Sequence, residues 1–335
     1  MLKLIVLLIV GFIFLARGAD WLVIGSSRIA RWFGIPAIVV GLTVVAFGTS
    51  MPELVVSFSA ALRGSPDLSL GNILGSNISN ILLILGLVAI IATIKVQSST
   101  VRKEIPFFIL AAVFLGISAN DIFFQGASIN IIGRGDGIIL LTFFAFFVYY
   151  VVGVARNKGS LSEKIEEARF ELRELTKKRH PIIWFVGQIV LGLTILIAGG
   201  QIVVIGATGI AKIFGLSEAL IGLTIIAIGT SLPELATSVI AAYKKEADIA
   251  IGNIVGSNIF NILWIVGVTS LVRPLAFSSV LNTDILLVVL VSIILFGAIL
   301  FFGKRLQLGR GSGILFIILY LIYILFLLGR EGILF

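Results

Sequence analysis

The chain has 335 residues, of which 59% are hydrophobic and 13% charged, with a mean hydropathy of +1.18 and a net charge of +8. So few polar residues cannot cover a water-soluble globule of this length, which excludes a soluble enzyme and a soluble nucleic-acid-binding protein. The chain has no cysteine and one histidine, His180, so disulfides and thiolate metal sites are excluded and a zinc site is disfavoured. We therefore predict a polytopic membrane protein that is not an enzyme and needs no cofactor.

Ten apolar runs are long enough to cross about 30 Å of hydrocarbon as helices, which takes about 20 residues each. In chain order they are 4–30, 36–62, 68–93, 105–120, 137–155, 181–211, 216–242, 248–271, 283–302 and 312–329. They lack the polar alternation of a lipid-facing strand, so the predicted fold is all-α with ten transmembrane helices. The first run has no small-x-small cleavage site and continues through Arg17 and Asp20, so we interpret it as a helix and not as a signal peptide.

The distribution of Lys and Arg predicts how the helices are oriented. If ten helices alternate, 18 of the 25 basic residues fall on one side of the membrane and six on the other. The positive-inside rule makes the richer side cytoplasmic, so we expect a multi-pass protein of the cell membrane with both termini extracellular. The one long hydrophilic stretch, 156–180, would then be a cytoplasmic linker helix, acting either as a solvated connector or in regulation.

The second half of the chain repeats the first at an offset of 181 residues. Ten of fourteen positions in "GLTVVAFGTSMPEL" recur in "GLTIIAIGTSLPEL", and eight of ten in "GNILGSNISN" recur in "GNIVGSNIFN". Each half, 1–155 and 181–335, holds five predicted helices, an odd number, so the second half would enter the membrane inverted. The segment 120–137 has no counterpart at this offset, and we interpret it as an outer loop.

The repeated motif places Glu53 and Glu234 deep in predicted spans, with no Lys or Arg nearby. A carboxylate inside a membrane requires a partner, and a transported cation would supply one. Pro52 and Pro233 cannot donate a backbone hydrogen bond, so we predict a helix break at each that exposes main-chain oxygens. The hydroxyl groups on the same turn, which could join the carboxylates as ligands, belong to Thr49, Ser50, Thr230 and Ser231. Ligands that are all oxygens select hard cations such as Ca²⁺ and Na⁺.

The next helix of each half adds small and polar residues. We expect Gly71, Gly75, Gly252 and Gly256 to permit close helix packing. Four side chains are spaced i, i+4 on one face, so they would either complete the ion site or form interhelical hydrogen bonds; they are Ser76, Asn80, Ser257 and Asn261.

Three other acidic residues favour structural roles. Asp20 lies three residues from Arg17, so we expect these two to pair along one helix face, a proton or ion-access role being the alternative. Asp67 and Asp248 begin predicted helices, where we expect them to cap free backbone amides.

The two copies of "GLT…AxGTSxPEL" and "GNIxGSNIxN" resemble the alpha repeats of the sodium/calcium exchanger family, within the cation/calcium exchanger superfamily. The resemblance implies an antiporter whose ion sites cluster around Glu53 and Glu234 and hold Na⁺ and Ca²⁺ in turn. It also implies ligation by the main-chain carbonyls of Ala46 and Ala227 and by the side chains of Thr49, Ser50, Ser76, Asn80, Thr230, Ser231, Ser257 and Asn261. The implied partners are these ions and the lipid bilayer, with no nucleic acid and no obligate protein partner.

The resemblance also implies how the protein moves and where it departs from its family. The first and sixth helices would slide against the other eight, and glycines that suit such a contact are Gly11, Gly18, Gly25, Gly199, Gly200 and Gly206. Family members often carry an aspartate at one of the positions of Asn80 and Asn261, whereas this chain has asparagine at both. Two carboxylates neutralise one Ca²⁺ or two Na⁺, which leaves the stoichiometry open.

Three alternatives to Na⁺/Ca²⁺ exchange follow from the residues alone. A proton/calcium exchanger would use a buried glutamate itself as the proton carrier. A cation channel would use the glutamates as a filter, although channels build such filters by rotational symmetry and inverted repeats suit carriers. A non-transporting scaffold is the least favoured, since it has no use for two buried, unpaired carboxylates.

Overall fold

A computed structural model describes residues 1–156, 182–214, 227–301 and 306–330. These residues are mostly helical, as predicted. By length and apolar composition, seven of their helices could cross a membrane, or eight if one bent pair of helices counts as a span. The predicted linker helix lies outside the described residues except for Arg156, which ends a membrane helix.

The first half begins with two helices and a broken helix pair. Helix α1 spans Leu2–Phe33, α2 spans Ala37–Thr49, α3 spans Met51–Leu62 and α4 spans Pro66–Ile91. The short strand β1, Ile94–Lys95, follows. A π-helical turn at Thr100–Glu104 then leads into α5, Ile105–Ser118, and the half ends with the short helix α6, Asp121–Gln125, strand β2, Ile131–Ile132, and helix α7, Arg134–Arg156.

The second half has a matching order of elements where it is described. Helix α8 spans Ile182–Ile213, α9 spans Ala227–Thr230, α10 spans Leu232–Tyr243 and α11 spans Ala247–Val272. Strand β3, Leu275–Ala276, precedes a 3-10 turn at Ser279–Leu281. Helix α12, Asn282–Phe301, strand β4, Gln307–Leu308, and helix α13, Arg310–Arg330, complete it.

Eight of the ten predicted spans thus appear as helices or as the bent pair α2 and α3. The predicted span at 105–120 corresponds to α5, which has 14 residues after its π-helical turn. The predicted span at 216–242 falls partly on residues 215–226, which lie outside the described part. The count of ten therefore stays a prediction.

Both predicted helix breaks are present. Ser50 leaves the helical conformation with φ −82° and ψ 8°, and α2 and α3 meet there at a bend of 46°. Ser231 has nearly the same conformation, φ −86° and ψ 2°, between α9 and α10. Pro52 and Pro233 each lie at the start of the following helix, where a missing backbone N–H removes no helical hydrogen bond.

Two short antiparallel ribbons join the halves. Strand β1 pairs with β4, with Ile94 opposite Leu308, and β2 pairs with β3, with Ile131 opposite Ala276. The segment 120–137, expected to be a plain outer loop, therefore contains a short helix and one strand of a ribbon. Each half donates one strand to each ribbon, so the ribbons fix the two halves against one another.

Glycines bring α1 and α8 into backbone contact. A Cβ added at Gly18 would lie 2.8 Å from the carbonyl oxygen of Gly192, and one added at Gly199 would lie 3.0 Å from that of Gly11. Gly25 lies next to Phe185, so the two helices run antiparallel. We expected these glycines to face the other eight helices, and that was wrong for all but Gly200, which lies against Pro233.

Asp20 does not pair with Arg17 as predicted. Its carboxylate lies 2.8 Å from the Lys244 ammonium group, at the end of α10, and both side chains are one-third exposed. Helical spacing allowed an i, i+3 pair, but the fold brings a cation from another helix closer to the carboxylate.

The expected caps are not present either. Asp67 lies in the first turn of α4, whose N-cap is Ser65, and no side-chain capping bond forms there. Asp248 lies in the first turn of α11 and accepts a hydrogen bond of 2.7 Å from the Gln97 side chain.

We predict that Gly18→Ala destabilises the protein by about 1–3 kcal/mol, because the new methyl group would overlap backbone atoms of α8 and push the two helices apart. Thermal unfolding of the detergent-solubilised protein measures this change. Gly187→Ala is the matched control in α8, since no described atom lies within 4 Å of its Cβ position. Equal melting temperatures for the two variants would contradict the close packing of α1 and α8.

Candidate functional site

Glu53 and Glu234 lie at the centre of the molecule, and neither carboxylate is exposed to solvent. Each is the third residue of the helix that follows a break, α3 or α10. The helix breaks therefore aim both glutamates from matching positions of the two halves into one core.

Serine hydroxyl groups of both halves converge on Glu53. Ser231, at the break of the second half, donates a hydrogen bond of 3.2 Å to Oε1 of Glu53. Ser76, on α4, donates to the same oxygen at 3.4 Å and lies 3.3 Å from the Ser231 hydroxyl. The other carboxylate oxygen, Oε2, is buried and has no hydrogen-bond partner among the described residues.

Glu234 has the same environment with the halves exchanged. Ser50 donates a hydrogen bond of 2.9 Å to its Oε1, and Ser257, on α11, donates to that oxygen at 3.4 Å. Within the described part of the chain, Oε2 of Glu234 also lacks a partner. In each glutamate, one carboxylate oxygen thus accepts hydrogen bonds from two serines, one of each half, and the other oxygen is unpaired among the described residues.

The threonines and carbonyls of the break line the same region. Thr49 is fully buried, and its hydroxyl lies 3.3 Å from the Ala46 carbonyl oxygen and 3.0 Å from Oδ1 of Asn253. The Ser257 hydroxyl also approaches the Ala46 carbonyl, at 3.5 Å. In the second half, Thr230 lies 3.4 Å from Oδ1 of Asn72, while Ala227 is the first residue of α9.

Asn80 and Asn261 form two matching amide pairs across the halves. Asn80 donates from Nδ2 to Oδ1 of Asn258 at 2.9 Å, and Asn261 donates from Nδ2 to Oδ1 of Asn77 at 3.0 Å. The side-chain oxygens of Asn80 and Asn261 are buried without a hydrogen bond to any described residue. Each of these asparagines therefore makes an interhelical hydrogen bond and still has an oxygen available as a ligand, so the two roles left open by the sequence are compatible.

Four asparagines in this network were missed by the sequence reasoning. Asn72 and Asn253 contact the threonines, and Asn77 and Asn258 accept from the ligand candidates. A signal was available, because "GNI" and "GSN" recur unchanged in both halves. Asn72 and Asn253 also lie four residues before Ser76 and Ser257, on the helical face that predicted Asn80 and Asn261.

The glycines of the same helices divide into two groups. A Cβ at Gly252 would lie 2.8 Å from the Ile38 carbonyl oxygen, and one at Gly256 would lie 2.8 Å from Leu42 Cα, so both permit close packing of α11 on α2. Gly71 and Gly75 have no described atom within 4 Å of their Cβ positions. The residues that match Ile38 and Leu42 in the second half lie outside the described part, so the packing role of Gly71 and Gly75 stays a prediction.

The core therefore presents four unpaired acceptor oxygens, two of carboxylates and two of amides, amid hydroxyl and carbonyl oxygens. Buried acceptors without donors destabilise a protein, and bound cations would compensate them. Among the described residues, no cluster of three or more His, Cys, Asp or Glu side chains forms a metal site. An all-oxygen site with two carboxylates suits a hard cation such as Ca²⁺ or Na⁺.

The fold and this core define a helical membrane protein of the cation-transporter class. The family model described as "Sodium/calcium exchanger protein" matches residues 3–153 and 184–329. The chain therefore belongs to the sodium/calcium exchanger family, which confirms the resemblance drawn from the two repeats. Members of this family are membrane antiporters and not enzymes.

Relatives of known name agree with this assignment. The chain is 40% identical to the inner membrane protein YrbG of Escherichia coli, over 92% of each chain. It is 27% identical to the sodium/calcium exchanger MaX1 of Methanosarcina acetivorans, over 96% of this chain and 97% of the relative. Among solved structures, the sodium-calcium exchanger NCX_Mj soaked with Na⁺ and Sr²⁺ is similar with a TM-score of 0.80 and 33% identity, covering 97% of this chain and 98% of that one.

We predict that Asn261→Asp lowers the melting temperature of the ion-free protein and enlarges its stabilisation by Ca²⁺. The variant loses the amide that donates to Asn77 and adds a third buried carboxylate, which destabilises by about 1–3 kcal/mol or more until a cation binds. Thermal unfolding with and without Ca²⁺ measures both effects.

The matched control is Asn120→Asp, which alters another amide pair between the halves, formed with Asn282 at 2.7 and 2.9 Å. It should lower the melting temperature without enlarging the Ca²⁺ effect. Equal Ca²⁺ effects in the two variants would exclude Asn261 from the ion site.

Proposed function

We propose that the protein is a secondary antiporter that exchanges Na⁺ for Ca²⁺ across the cell membrane by alternating access. The observation that carries this proposal is the pair of buried glutamates, each with one unpaired oxygen, between matching helix breaks. Such carboxylates are stable in a membrane only with a partner, and the described core supplies no Lys or Arg. Family membership supports cation and calcium exchange, and the exchanger names of MaX1 and NCX_Mj support the Na⁺/Ca²⁺ pair.

The ions would bind between the two halves of the chain. The glutamates supply all of the negative charge, Ala46 and Ala227 supply main-chain carbonyls, and hydroxyl and amide oxygens complete the coordination. The proposed ligands are Ala46, Thr49, Ser50, Glu53, Ser76, Asn80, Ala227, Thr230, Ser231, Glu234, Ser257 and Asn261. With a site charge of −2, one Ca²⁺ is neutralised in full, whereas any Na⁺ beyond two adds net positive charge.

The proposed architecture is ten transmembrane helices in two inverted halves, 1–155 and 181–335, joined by the linker 156–180. Three observations support it: α1 and α8 run antiparallel, the ribbons exchange one strand from each half, and the hydrogen bonds around the glutamates match with the halves exchanged. An odd number of spans per half produces this arrangement.

We propose further that the linker is cytoplasmic and that both termini are extracellular. This orientation rests on the positive-inside rule. The contacts between loops support the predicted alternation of sides, because each contact joins segments assigned to the same side of the membrane. Strand β1 pairs with β4 on the predicted cytoplasmic side, and β2 pairs with β3 on the predicted outer side. Asp248 and Gln97, also hydrogen-bonded, both fall on the cytoplasmic side.

Alternating access would move α1 and α8 together against the remaining helices. Their mutual glycine contacts support motion as one unit, because backbones in contact cannot separate easily. Leu193 and Val204 of α8 lie against Gly48 and Gly229 beside the two breaks, so a displacement of α8 would act directly on the helices that carry the glutamates.

We predict that Glu53→Gln and Glu234→Gln each lower Ca²⁺ uptake into proteoliposomes, driven by a sodium gradient, by more than about tenfold. Each variant removes half of the charge that binds the cation, and a loss of about 1.4 kcal/mol in binding already corresponds to tenfold. Glu246→Gln is the matched control, since Glu246 is partly exposed and lies 3.6 Å from Arg31. Sodium-driven uptake that survives in both glutamate variants would refute the proposal.

Imposing one gradient at a time separates Na⁺/Ca²⁺ exchange from the two transport alternatives. A proton/calcium exchanger would continue Ca²⁺ uptake with a pH gradient alone, whereas the proposed antiporter stops when the sodium gradient collapses. A channel would show unitary currents far above the turnover of a carrier.

We predict that a membrane-impermeant maleimide labels Ser128→Cys but not Ser160→Cys in intact cells. The native chain has no cysteine, so each variant carries a single reactive thiol. Ser128 belongs to the predicted outer segment and Ser160 to the predicted cytoplasmic linker, and opening the cells should expose the second thiol. Labelling of Ser160→Cys in intact cells would reverse the proposed orientation.

A further inference from the structure

Asn253 lies in the middle of the site without contacting the free carboxylate oxygens. It is fully buried on α11 and bonds to both halves of the protein. Its side chain accepts a hydrogen bond of 3.0 Å from Thr49 and donates to the Ser238 hydroxyl at 3.0 Å and to the Glu234 main-chain carbonyl at 3.4 Å.

The Glu234 carbonyl fixes which way round the Asn253 amide lies. A carbonyl oxygen only accepts hydrogen bonds, so the NH₂ group of Asn253 must face it. The amide oxygen then faces Thr49, and since an amide oxygen also only accepts, the Thr49 hydroxyl must be the donor. The direction of this hydrogen bond is therefore set by the protein.

That direction matters because a hydroxyl binds a cation through its lone pairs, so its proton must point away from the ion. Thr49 has a second acceptor in reach, the Ala46 carbonyl oxygen at 3.3 Å. A proton turned toward Ala46 would occupy a carbonyl that is itself a candidate ligand. The Ala46 carbonyl already accepts the Ser50 N–H at 3.0 Å, and the Ser257 hydroxyl lies 3.5 Å away. By accepting the Thr49 proton, Asn253 keeps the lone pairs of the Thr49 hydroxyl free for a cation and adds no further donor to the Ala46 carbonyl.

We propose that Asn253 is a positioning residue that orients the Thr49 hydroxyl for cation binding, an inference that rests on the proposed function. The matching residue of the first half, Asn72, has the same relation to Thr230, at 3.4 Å, and donates to Ser57 at 2.9 Å. Asn253 is the better-defined case, since a carbonyl fixes its amide. Asn253 belongs to the second half and Thr49 to the first, so a residue of one half orients a proposed ligand of the other.

A purely structural role for Asn253 makes a different prediction. If Asn253 only joins α10 to α11, its removal affects ion binding equally whether or not Thr49 carries a hydroxyl. If it acts through that hydroxyl, its removal has no further effect once the hydroxyl is gone. A double-mutant cycle with Thr49→Val, which keeps the shape of the side chain, separates the two roles.

The experiment measures the Ca²⁺ concentration at half-maximal stabilisation of the purified full chain against heat, and at half-maximal uptake in proteoliposomes. Asn253→Ala should raise both about 2- to 10-fold, the effect of losing one buried hydrogen bond. In the Thr49→Val background the same substitution should change neither by more than the measurement error. Equal increases in both backgrounds would overturn the proposal in favour of a structural role.

Two further variants keep the test decisive. Asn120→Ala, which breaks the amide pair with Asn282 away from the site, should leave both Ca²⁺ concentrations unchanged. If Asn253→Ala does not fold, Ser238→Ala replaces it, since it removes one hydrogen-bond acceptor of the Asn253 amide. A smaller increase in both Ca²⁺ concentrations that again disappears with Thr49→Val supports the proposal. An increase that is the same in the Thr49→Val background overturns it.

The wild-type protein distinguishes the two levels of inference. If it shows no sodium-driven Ca²⁺ uptake, the proposed function fails and the positioning role fails with it. If it transports and the two backgrounds respond alike to Asn253→Ala, only the positioning role fails.

Discussion

The structure depends on the burial of two carboxylates that have no basic side chain beside them among the described residues. Burying an ionised carboxylate costs several kcal/mol unless hydrogen bonds and an opposite charge compensate it. Glu53 and Glu234 receive serine hydroxyl groups on one oxygen each, which offsets only part of that penalty. In the proposed function, the uncompensated remainder gives the core its affinity for a cation.

The helix breaks follow from the same requirement. An unbroken helix would direct its backbone groups along its own axis, whereas the breaks at Ser50 and Ser231 place serine hydroxyls against the glutamates. Because the two breaks match, a serine of each half donates a hydrogen bond to the glutamate of the other half. The ribbons β1–β4 and β2–β3 also take one strand from each half, so the halves are held together outside the site as well as within it.

The side-chain amides around the glutamates carry no charge, but they fix the direction of the hydrogen bonds that they form. Asn80 and Asn261 donate hydrogen bonds to Asn258 and Asn77 across the halves, and Asn253 accepts a hydrogen bond from the Thr49 hydroxyl. Amides suit this role because each carries a donor and an acceptor at fixed positions, so one partner that only accepts fixes the orientation of the whole group. In the proposed site, the Thr49 hydroxyl is thereby oriented before an ion arrives.

The sequence by itself determined the membrane class, most helix positions, the two breaks and the central glutamates. These are local or repeated features: long apolar runs, prolines that cannot donate, and acids with no basic neighbour. Tertiary structure decided which groups meet. Asp20 pairs with Lys244 and not with Arg17, and the glycines of α1 and α8 face each other. The hydrogen-bond network around the glutamates also includes four asparagines, Asn72, Asn77, Asn253 and Asn258. Sequence spacing cannot supply these contacts, because they join residues as far apart in the chain as Asp20 and Lys244, whose distance is set only when the two halves pack.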